Sequence, residues 1–192
     1  MKILKVKLEG TAPIILHSDR LCNPLDPLTK TLKQYTSKRK KTDDDLLEIA
    51  RIEWMGGLYY DESVGVYIPG QNVEATIQNS AKLQRRGQDV KRGLMVVEHM
   101  IPLEYDGPKK PEILFGDGDT EFVDMRSVVV QRARLMRCRP IFNKWAIEFS
   151  VGYNPEIFNK DDVIELIKNG GELIGLCDMR PRYGKFKVNK AA

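Results

Sequence analysis

The chain has 192 residues, of which 42% are hydrophobic and 30% charged, with a formal net charge of +4. This balance suits a folded domain with one core and excludes a disordered chain. No apolar run reaches the roughly 18 residues that a membrane-spanning helix needs, and Met1 to Leu8 lacks the apolar centre of a signal peptide. The three cysteines lack metal-binding spacing, so we expect reduced thiols, a cytoplasmic location and no metal, cofactor or membrane partner.

The N-terminal part of the chain predicts a strand, a long loop and a helix. Lysines roughly alternate with apolar residues over 2–8, which is a strand pattern. Residues 17–42 show no clear period and contain two prolines and a basic run, so we expect a long projecting loop. Thr42, followed by three aspartates, predicts a helix start, and Gly56 with Gly57 predicts its end.

The middle of the chain predicts a hairpin, a helix and a strand. Residues 58–68 read as a short hairpin. Pro69 and Gly70 open a second helix, whose apolar side chains recur at helical spacing on one face. Residues 94–104 are apolar enough for a further strand.

The last third of the chain predicts mostly strands. Residues 121–139 are extended, and 145–151 show the clearest period-two alternation in the sequence. Asn159 caps a third helix that two glycines close, and 185–188 form a last strand.

Strands and helices are therefore mixed without strict alternation. This order predicts an α+β fold with an antiparallel sheet and helices on one face. We expect residues 1–192 to form a single domain, with 17–42 as an inserted projecting loop.

Arginines are concentrated between residues 126 and 139, a stretch that contains no acidic residue and follows Glu121 and Asp124. Arginine makes planar, bidentate contacts with phosphate, so this stretch favours a phosphate-binding surface over an ordinary exposed strand. In a regular strand Arg132 and Arg134 share one face, and Arg137 and Arg139 share the opposite face unless a bulge or turn at Leu135 and Met136 resets the register. The five residues are Arg126, Arg132, Arg134, Arg137 and Arg139.

Two further basic clusters are candidates for the same surface. Arg180, Arg182 and Lys185 surround Tyr183, whose ring offers a face for base stacking. The alternative is an arginine-rich turn with its aromatic residues in the core. The second cluster is the run Lys38, Arg39, Lys40 and Lys41, for which a solvated loop with partly neutralised charge is the alternative.

Candidate catalytic residues are few. His99 lies in an apolar strand, and His17 stands beside Ser18 and Asp19 without forming a triad by sequence alone. Among the aspartates of the predicted loop, Asp19 and Asp26 are the candidates for metal-assisted cleavage of a phosphodiester. No sequence motif of a metal site or of a nucleotide-binding loop is present.

Two motifs give the chain a family resemblance. Residues 13–25 read PIILHSDRLCNPL and residues 67–77 read YIPGQNVEATI. With the glycine-containing C-terminal segment, this pattern resembles the RAMP superfamily, the backbone subunits that coat guide RNA in CRISPR effector complexes. It looks most like a stand-alone version found in phages and mobile elements.

The resemblance implies a fold and a set of binding residues. It implies an RRM-like (ferredoxin-like) sheet, with Arg20 in an early loop that acts as a thumb across RNA. It places Gln71 and Asn72 at a helix start that faces the nucleic-acid strand. The glycine-rich loop would hold Arg180, Arg182, Tyr183 and Lys185, although Asp178–Pro181 replaces a purer glycine run.

We therefore expect binding of single-stranded RNA or DNA along a basic groove, without catalysis. The expected assembly is a homo-oligomer or filament that coats the strand. Two alternatives stay open, a metal-dependent endoribonuclease that uses a loop aspartate and a phage protein that docks on and inhibits a host nucleoprotein complex.

Overall fold

The computed structural model describes residues 1–191. These residues form ten strands and six α-helices. The strands are β1 (Lys2–Gly10), β2 (Ile14–Ile15), β3 (Tyr60–Asp61), β4 (Gly65–Pro69), β5 (Leu94–Val96), β6 (Met100–Pro102), β7 (Val123–Val130), β8 (Ala133–Phe142), β9 (Ala146–Tyr153) and β10 (Phe186–Ala191). The helices are α1 (Pro27–Thr36), α2 (Asp43–Gly57), α3 (Gly70–Leu83), α4 (Gly87–Gly93), α5 (Pro111–Phe115) and α6 (Lys160–Asn169).

The chain divides into two compact units. The first unit comprises Met1–Ile14, Asp61–Asp106 and Asn143–Ala192, and the second comprises Ile15–Tyr60 and Gly107–Phe142. The assignment of residues 1–192 to a single domain stays a prediction. No helix of residues 1–191 has both the length and the apolar character that crossing a membrane requires.

The first unit contains a four-stranded sheet in the order β10-β1-β9-β5, and all three pairings are antiparallel. With α3 between β1 and β5, and α6 between β9 and β10, this is the βαββαβ topology of ferredoxin-like and RRM-like domains. The α+β, RRM-like prediction is therefore confirmed.

Alternating burial along the strands shows which face of this sheet the helices cover. Leu4, Val6 and Leu8 of β1 are buried, whereas Lys5 between them is exposed. In β9 the side chains of Ile147, Phe149 and Val151 are buried in the same alternation. The buried apolar side chains of α3 and α6 complete this core, and they are Val73, Ile77, Ala81, Val163, Leu166 and Ile167.

Both β1 and β5 run toward the end of the sheet at which β9 and β10 begin. Gly10 at the end of β1 pairs with Phe186, and Glu9 pairs with Ala146. The chain therefore leaves β1 and β5, and enters β10, at this same end of the sheet.

Capping boxes begin two of the helices at the positions that the sequence predicts. The Thr42 hydroxyl accepts from the Asp45 backbone N–H, and the Asp45 carboxylate accepts from Thr42. Asn159 and Asp162 make the same reciprocal pair at α6. Each box satisfies two backbone donors that the helix itself leaves unpaired.

The second unit is built around α2 and a long hairpin. Trp54 of α2 is fully buried, and its Nε1 donates to the Phe122 carbonyl at 2.9 Å. The hairpin pairs β7 with β8 in register from Val123↔Pro140 to Val130↔Ala133. The single extended stretch predicted over 121–139 is thus two antiparallel strands, and Arg132 lies in the turn between them rather than in a strand.

The stretch predicted as a projecting loop also contains regular structure. Asp19–Cys22 form a 3₁₀ turn, and Pro27–Thr36 form α1. The Asp26 carboxylate accepts from the Leu28 backbone N–H at 2.8 Å, and Pro27 occupies the first turn, where its missing N–H costs nothing. The expectation of a structureless loop over 17–42 is therefore wrong for these residues.

Candidate nucleic-acid interface

The C-terminal segment, residues 175–185, connects α6 to β10 through a tightly turned backbone. Gly175, Cys177, Met179 and Gly184 all have positive φ, from 55° to 84°. At Gly184 a side chain is excluded, because a Cβ atom would lie 1.9 Å from the Leu176 carbonyl oxygen. Such closely packed backbone in a sparsely populated conformation is a mark of functional segments.

Backbone hydrogen bonds fix the C-terminal segment to the end of β1. The Gly184 N–H donates to the Pro13 carbonyl at 2.8 Å, and the Thr11 N–H donates to the Lys185 carbonyl at 2.8 Å. The segment therefore has a defined position at the end of the sheet where β10 begins.

The start of α3 contacts the C-terminal segment. The Thr76 hydroxyl donates to the Gly175 carbonyl at 3.0 Å, and Asn72 Nδ2 donates to Cys177 Sγ at 3.7 Å. Gln71 precedes Asn72 and is exposed. The structure thus places Asn72 of the predicted helix start beside the predicted glycine-containing loop.

Cys177 does not supply a nucleophile in this arrangement. Burial raises the pKa of its thiol to about 12, against the lowering effect of the hydrogen bond from Asn72. The thiol therefore stays protonated at neutral pH, and its part in the segment is to accept from Asn72.

The cations of the C-terminal segment face solvent. Arg180 and Arg182 are exposed, and Tyr183 and Lys185 are half-buried. Among residues 1–191, neither arginine forms an ion pair with a carboxylate. Both guanidinium groups are therefore available to an external anion.

The open face of the four-stranded sheet has a different character. Three of its lysines are paired with glutamates: Lys5 with Glu148 at 3.5 Å, Lys7 with Glu104 at 2.6 Å and Lys187 with Glu9 at 3.2 Å. RRM sheets bind RNA by stacking bases on aromatic side chains of this face. Within the described strands, β1 and β9 present no aromatic side chain there.

Two arginines of the hairpin are bound to carboxylates of the second unit. Arg126 pairs with Asp124, and Arg137 pairs with Glu53, which is 7% exposed. Glu53 also accepts from the Cys138 backbone N–H at 3.0 Å. The Arg137–Glu53 pair joins β8 to α2, whereas the Arg126–Asp124 pair lies within β7.

The remaining hairpin arginines differ in position and exposure. Arg132 is exposed in the turn, and Arg134 is exposed and donates to the Ser127 hydroxyl at 3.3 Å. Arg139 is half-buried near the base. The free surface charge of the hairpin is therefore concentrated at its tip.

The basic run at 38–41 is partly neutralised, as its sequence context indicates. Lys38 Nζ donates to Asp45 at 2.5 Å and lies 4.8 Å from the centre of the Tyr35 ring. Arg39, Lys40 and Lys41 are exposed. Arg20, the other predicted contact of this region, pairs with Asp26 at 2.8 Å.

The predicted interface residues belong to two units. The first holds Gln71, Asn72, Arg180, Arg182, Tyr183 and Lys185, and the second holds Arg20, Lys38, Arg39, Lys40, Lys41, Arg126, Arg132, Arg134, Arg137 and Arg139. That the two sets line one groove stays a prediction.

Sequence reasoning overlooked Glu53 as a partner of the arginines. The signal was available, because Glu53 follows Leu46, Ile49 and Ala50 at helical spacing on the apolar stripe of α2. A carboxylate on a buried stripe needs a cation or several donors.

The candidate catalytic aspartates occupy different environments. Both carboxylate oxygens of Asp26 are engaged, one by Leu28 N–H and the other by Arg20, and the hydrogen bond from Arg20 holds its pKa below the usual value. Asp19 is exposed in the 3₁₀ turn. Residues 1–191 contain no group of three or more histidine, cysteine or acidic side chains placed to hold a metal ion.

The comparisons with known proteins support the fold alone. No protein family matches the sequence, and no curated protein matches it either. Among solved structures, the chain is similar to one in the cryo-EM structure of the Type III-B Cmr-beta bound to cognate target RNA, with a TM-score of 0.51 and 10% identity. The match covers 99% of this chain and 59% of the other, so this chain spans less than two thirds of its length.

Proposed function

We propose that the chain binds single-stranded nucleic acid without cleaving it, and that the C-terminal segment makes the principal contacts. The observation that carries this proposal is the exposure of Arg180 and Arg182, unpaired with any carboxylate of residues 1–191, on a backbone held at the edge of the sheet. Guanidinium groups in this situation keep their full capacity for phosphate.

The contacts would be electrostatic, with stacking in addition. Arg180, Arg182 and Lys185 would neutralise successive phosphates, and Tyr183 is the candidate for stacking, worth about 1–3 kcal/mol per base. Arg132 and Arg134 at the hairpin tip are candidates for further phosphate contacts. Because the open face of the sheet is ion-paired, we favour the C-terminal segment at the end of the sheet over the open face as the binding surface.

RNA is the ligand we favour over DNA. The structurally similar Cmr-beta chain belongs to a structure with bound target RNA, and the sequence motifs resemble a superfamily of guide-RNA-coating proteins. We further propose that copies assemble along the strand, as in that superfamily, and that the protein acts in the cytoplasm, where its three cysteines stay reduced.

Binding of the purified chain to labelled single-stranded RNA, single-stranded DNA and duplex, each at two salt concentrations, tests this function. We expect binding to the single strands that weakens as salt rises. Incubation of the RNA with and without Mg²⁺ is the matched test of catalysis. Absence of single-strand affinity at moderate salt contradicts the proposal, and Mg²⁺-dependent cleavage that Asp19→Asn abolishes establishes the endoribonuclease instead.

A further inference from the structure

The second unit contains an apolar groove that the proposed function does not use. It lies between α1, α2 and the β7–β8 hairpin and has a volume of about 690 Å³. This size falls within the range of about 300–1,000 Å³ in which proteins bind compact ligands and side-chain clusters.

Large apolar side chains around this groove are exposed. The exposed fractions are 58% for Met136, 52% for Leu46, 49% for Met125 and 41% for Leu135. Single exposed apolar residues are ordinary, but four around one groove mark a binding surface. Two are methionines, whose flexible side chains adapt to an apolar partner.

The polar groups of the groove are already engaged within the chain, which disfavours a nucleobase as the occupant. The Glu53 carboxylate accepts from Arg137 and from the Cys138 N–H, and the Thr36 hydroxyl donates to the Leu32 carbonyl at 3.0 Å. A buried base would leave its edge donors and acceptors unpaired, at about 1–3 kcal/mol each. Aliphatic side chains carry no such penalty.

A second copy of this chain offers no helix that would fill the groove. On the α-helices of residues 1–191, the exposed large apolar side chains are Leu46, Leu47, Leu83 and Ile113. No two of them are three or four residues apart, so none of these helices presents an apolar stripe to solvent. A helix that fills the groove is therefore expected from another protein.

The charge beside the groove indicates the chemistry of that occupant. Lys41 lines the groove and ends the run that contains the exposed Arg39 and Lys40. Neither Arg39 nor Lys40 forms an ion pair within residues 1–191. An acidic residue at one end of the occupant would complement this run.

We propose that the groove docks an amphipathic helix of a partner protein. Its apolar residues, spaced i, i+3 or i+4 and i+7, occupy the groove, and an acidic residue at one end meets Lys41. This protein-docking site is separate from the nucleic-acid contacts of the C-terminal segment and does not depend on them.

Selection of helical peptides against the full chain tests this docking site. The library displays peptides of about 15 residues, and the affinity of the selected peptides is measured by fluorescence polarisation. We expect selected sequences with three apolar residues at helical spacing and an acidic end. Leu46→Glu and Met136→Glu are expected to weaken their binding about tenfold or more, as the loss of an interface anchor does.

Two neighbouring exposed residues that do not line the groove provide matched controls. Leu47→Glu on α2 and Val129→Glu on β7 introduce the same charge and are expected to leave peptide affinity unchanged. Thermal unfolding of all four variants shows whether they are folded.

Four results would overturn the proposal. The first is equal weakening of peptide binding by the groove variants and their controls, and the second is the selection of no peptide at all. The third is loss of RNA binding in folded Leu46→Glu and Met136→Glu, which would assign the groove to nucleic acid. The fourth is a wild-type dimer, measured by light scattering, that Leu46→Glu converts to a monomer.

Discussion

At the scale of single residues, the arginines of the hairpin divide by their partners. Arg137 is bound to the nearly buried Glu53, and Arg126 to Asp124. Arg132 and Arg134 have no carboxylate partner within residues 1–191. The positive charge of Arg132 and Arg134 is therefore not neutralised by a neighbouring carboxylate, unlike that of Arg126 and Arg137.

Replacing Glu53 with glutamine tests how strongly its ion pair with Arg137 stabilises the fold. Glu53→Gln removes a charged acceptor shared by Arg137 and the Cys138 N–H. We expect a loss of about 2–3 kcal/mol in the free energy of unfolding, measured by urea denaturation. The control is Glu48→Gln in the exposed pair with Arg51, which is expected to cost about 0–1 kcal/mol. Equal losses in the two variants would contradict this role for Glu53.

Asp45 predicts a dependence of stability on pH. The hydrogen bonds from Lys38 and from the Thr42 backbone N–H hold the pKa of its carboxyl below the usual 3.8. A carboxyl with a lowered pKa stabilises the fold above its unfolded pKa and loses that contribution as pH falls toward the folded pKa. Wild type is therefore expected to lose more stability than Asp45→Asn between about pH 6 and about pH 3.

The neighbouring Asp44→Asn serves as the control for this pH dependence. Asp44 is exposed and forms no ion pair among residues 1–191. Its variant should lose as much stability over the acid range as wild type does. An Asp45→Asn curve that parallels wild type argues against the assigned contribution.

The pairing of Glu53 with Arg137 also shows what local sequence does not contain. The two residues are 84 positions apart, so the acid-free stretch around Arg137 indicates exposed charge although folding supplies a carboxylate. The exposure of Arg180 and Arg182 agrees with the sequence around them. The nearest acidic residue, Asp178, forms no ion pair with either arginine.

At the scale of elements, predictability follows the location of the determining contacts. The starts of α2 and α6 depend on residues three positions apart, so the sequence alone predicts them. The turn at Gln131 and Arg132 has both φ angles positive, yet contains none of the Asn or Gly residues that usually indicate such a turn. The hairpin was therefore not predictable as two strands.

Helix α1 was missed for a different reason. Asp26 and Pro27 are a recognisable helix start, but the prolines and the basic run around them suggested a loop. Leu28, Leu32 and Tyr35 are half-buried and lie four and three residues apart, a spacing typical of a helix with one face against the fold.

Gly184 tests the built geometry of the C-terminal segment. Gly184→Ala places a Cβ atom 1.9 Å from the Leu176 carbonyl oxygen at a φ of 70°. Gly65→Ala is the control, since its φ is 85° and nothing lies within 4 Å of an added Cβ. Both variants adopt a disfavoured conformation that costs about 1–2 kcal/mol.

The comparison of the two glycine variants isolates the close approach. We expect Gly184→Ala to lower the melting temperature further than Gly65→Ala and to weaken RNA binding, which Gly65→Ala leaves unchanged. A similar melting temperature for both variants would show that the segment relaxes around the added methyl group.

At the scale of the whole molecule, the strand order of the first unit explains where its C-terminal segment lies. The connections after β1 and β5 and before β10 all leave one end of the sheet, because β1 and β5 run toward the end where β9 and β10 begin. The α+β class was predictable from the order of elements. The two-unit division was not, since it depends on contacts between Ile15–Tyr60 and Gly107–Phe142, which are distant in sequence.

The salt dependence of RNA affinity tests the central claim most directly. The logarithm of the binding constant falls with the logarithm of salt concentration by about 0.7 per phosphate contacted on a single strand. The double variant Arg180→Ala/Arg182→Ala is therefore expected to bind more weakly, with a slope shallower by about 1.4. The control Lys5→Ala/Lys187→Ala removes the same charge from the ion-paired open face and should keep the wild-type slope. If the two double variants change the slope equally, or only the lysine pair does, the C-terminal segment is not the phosphate-binding surface.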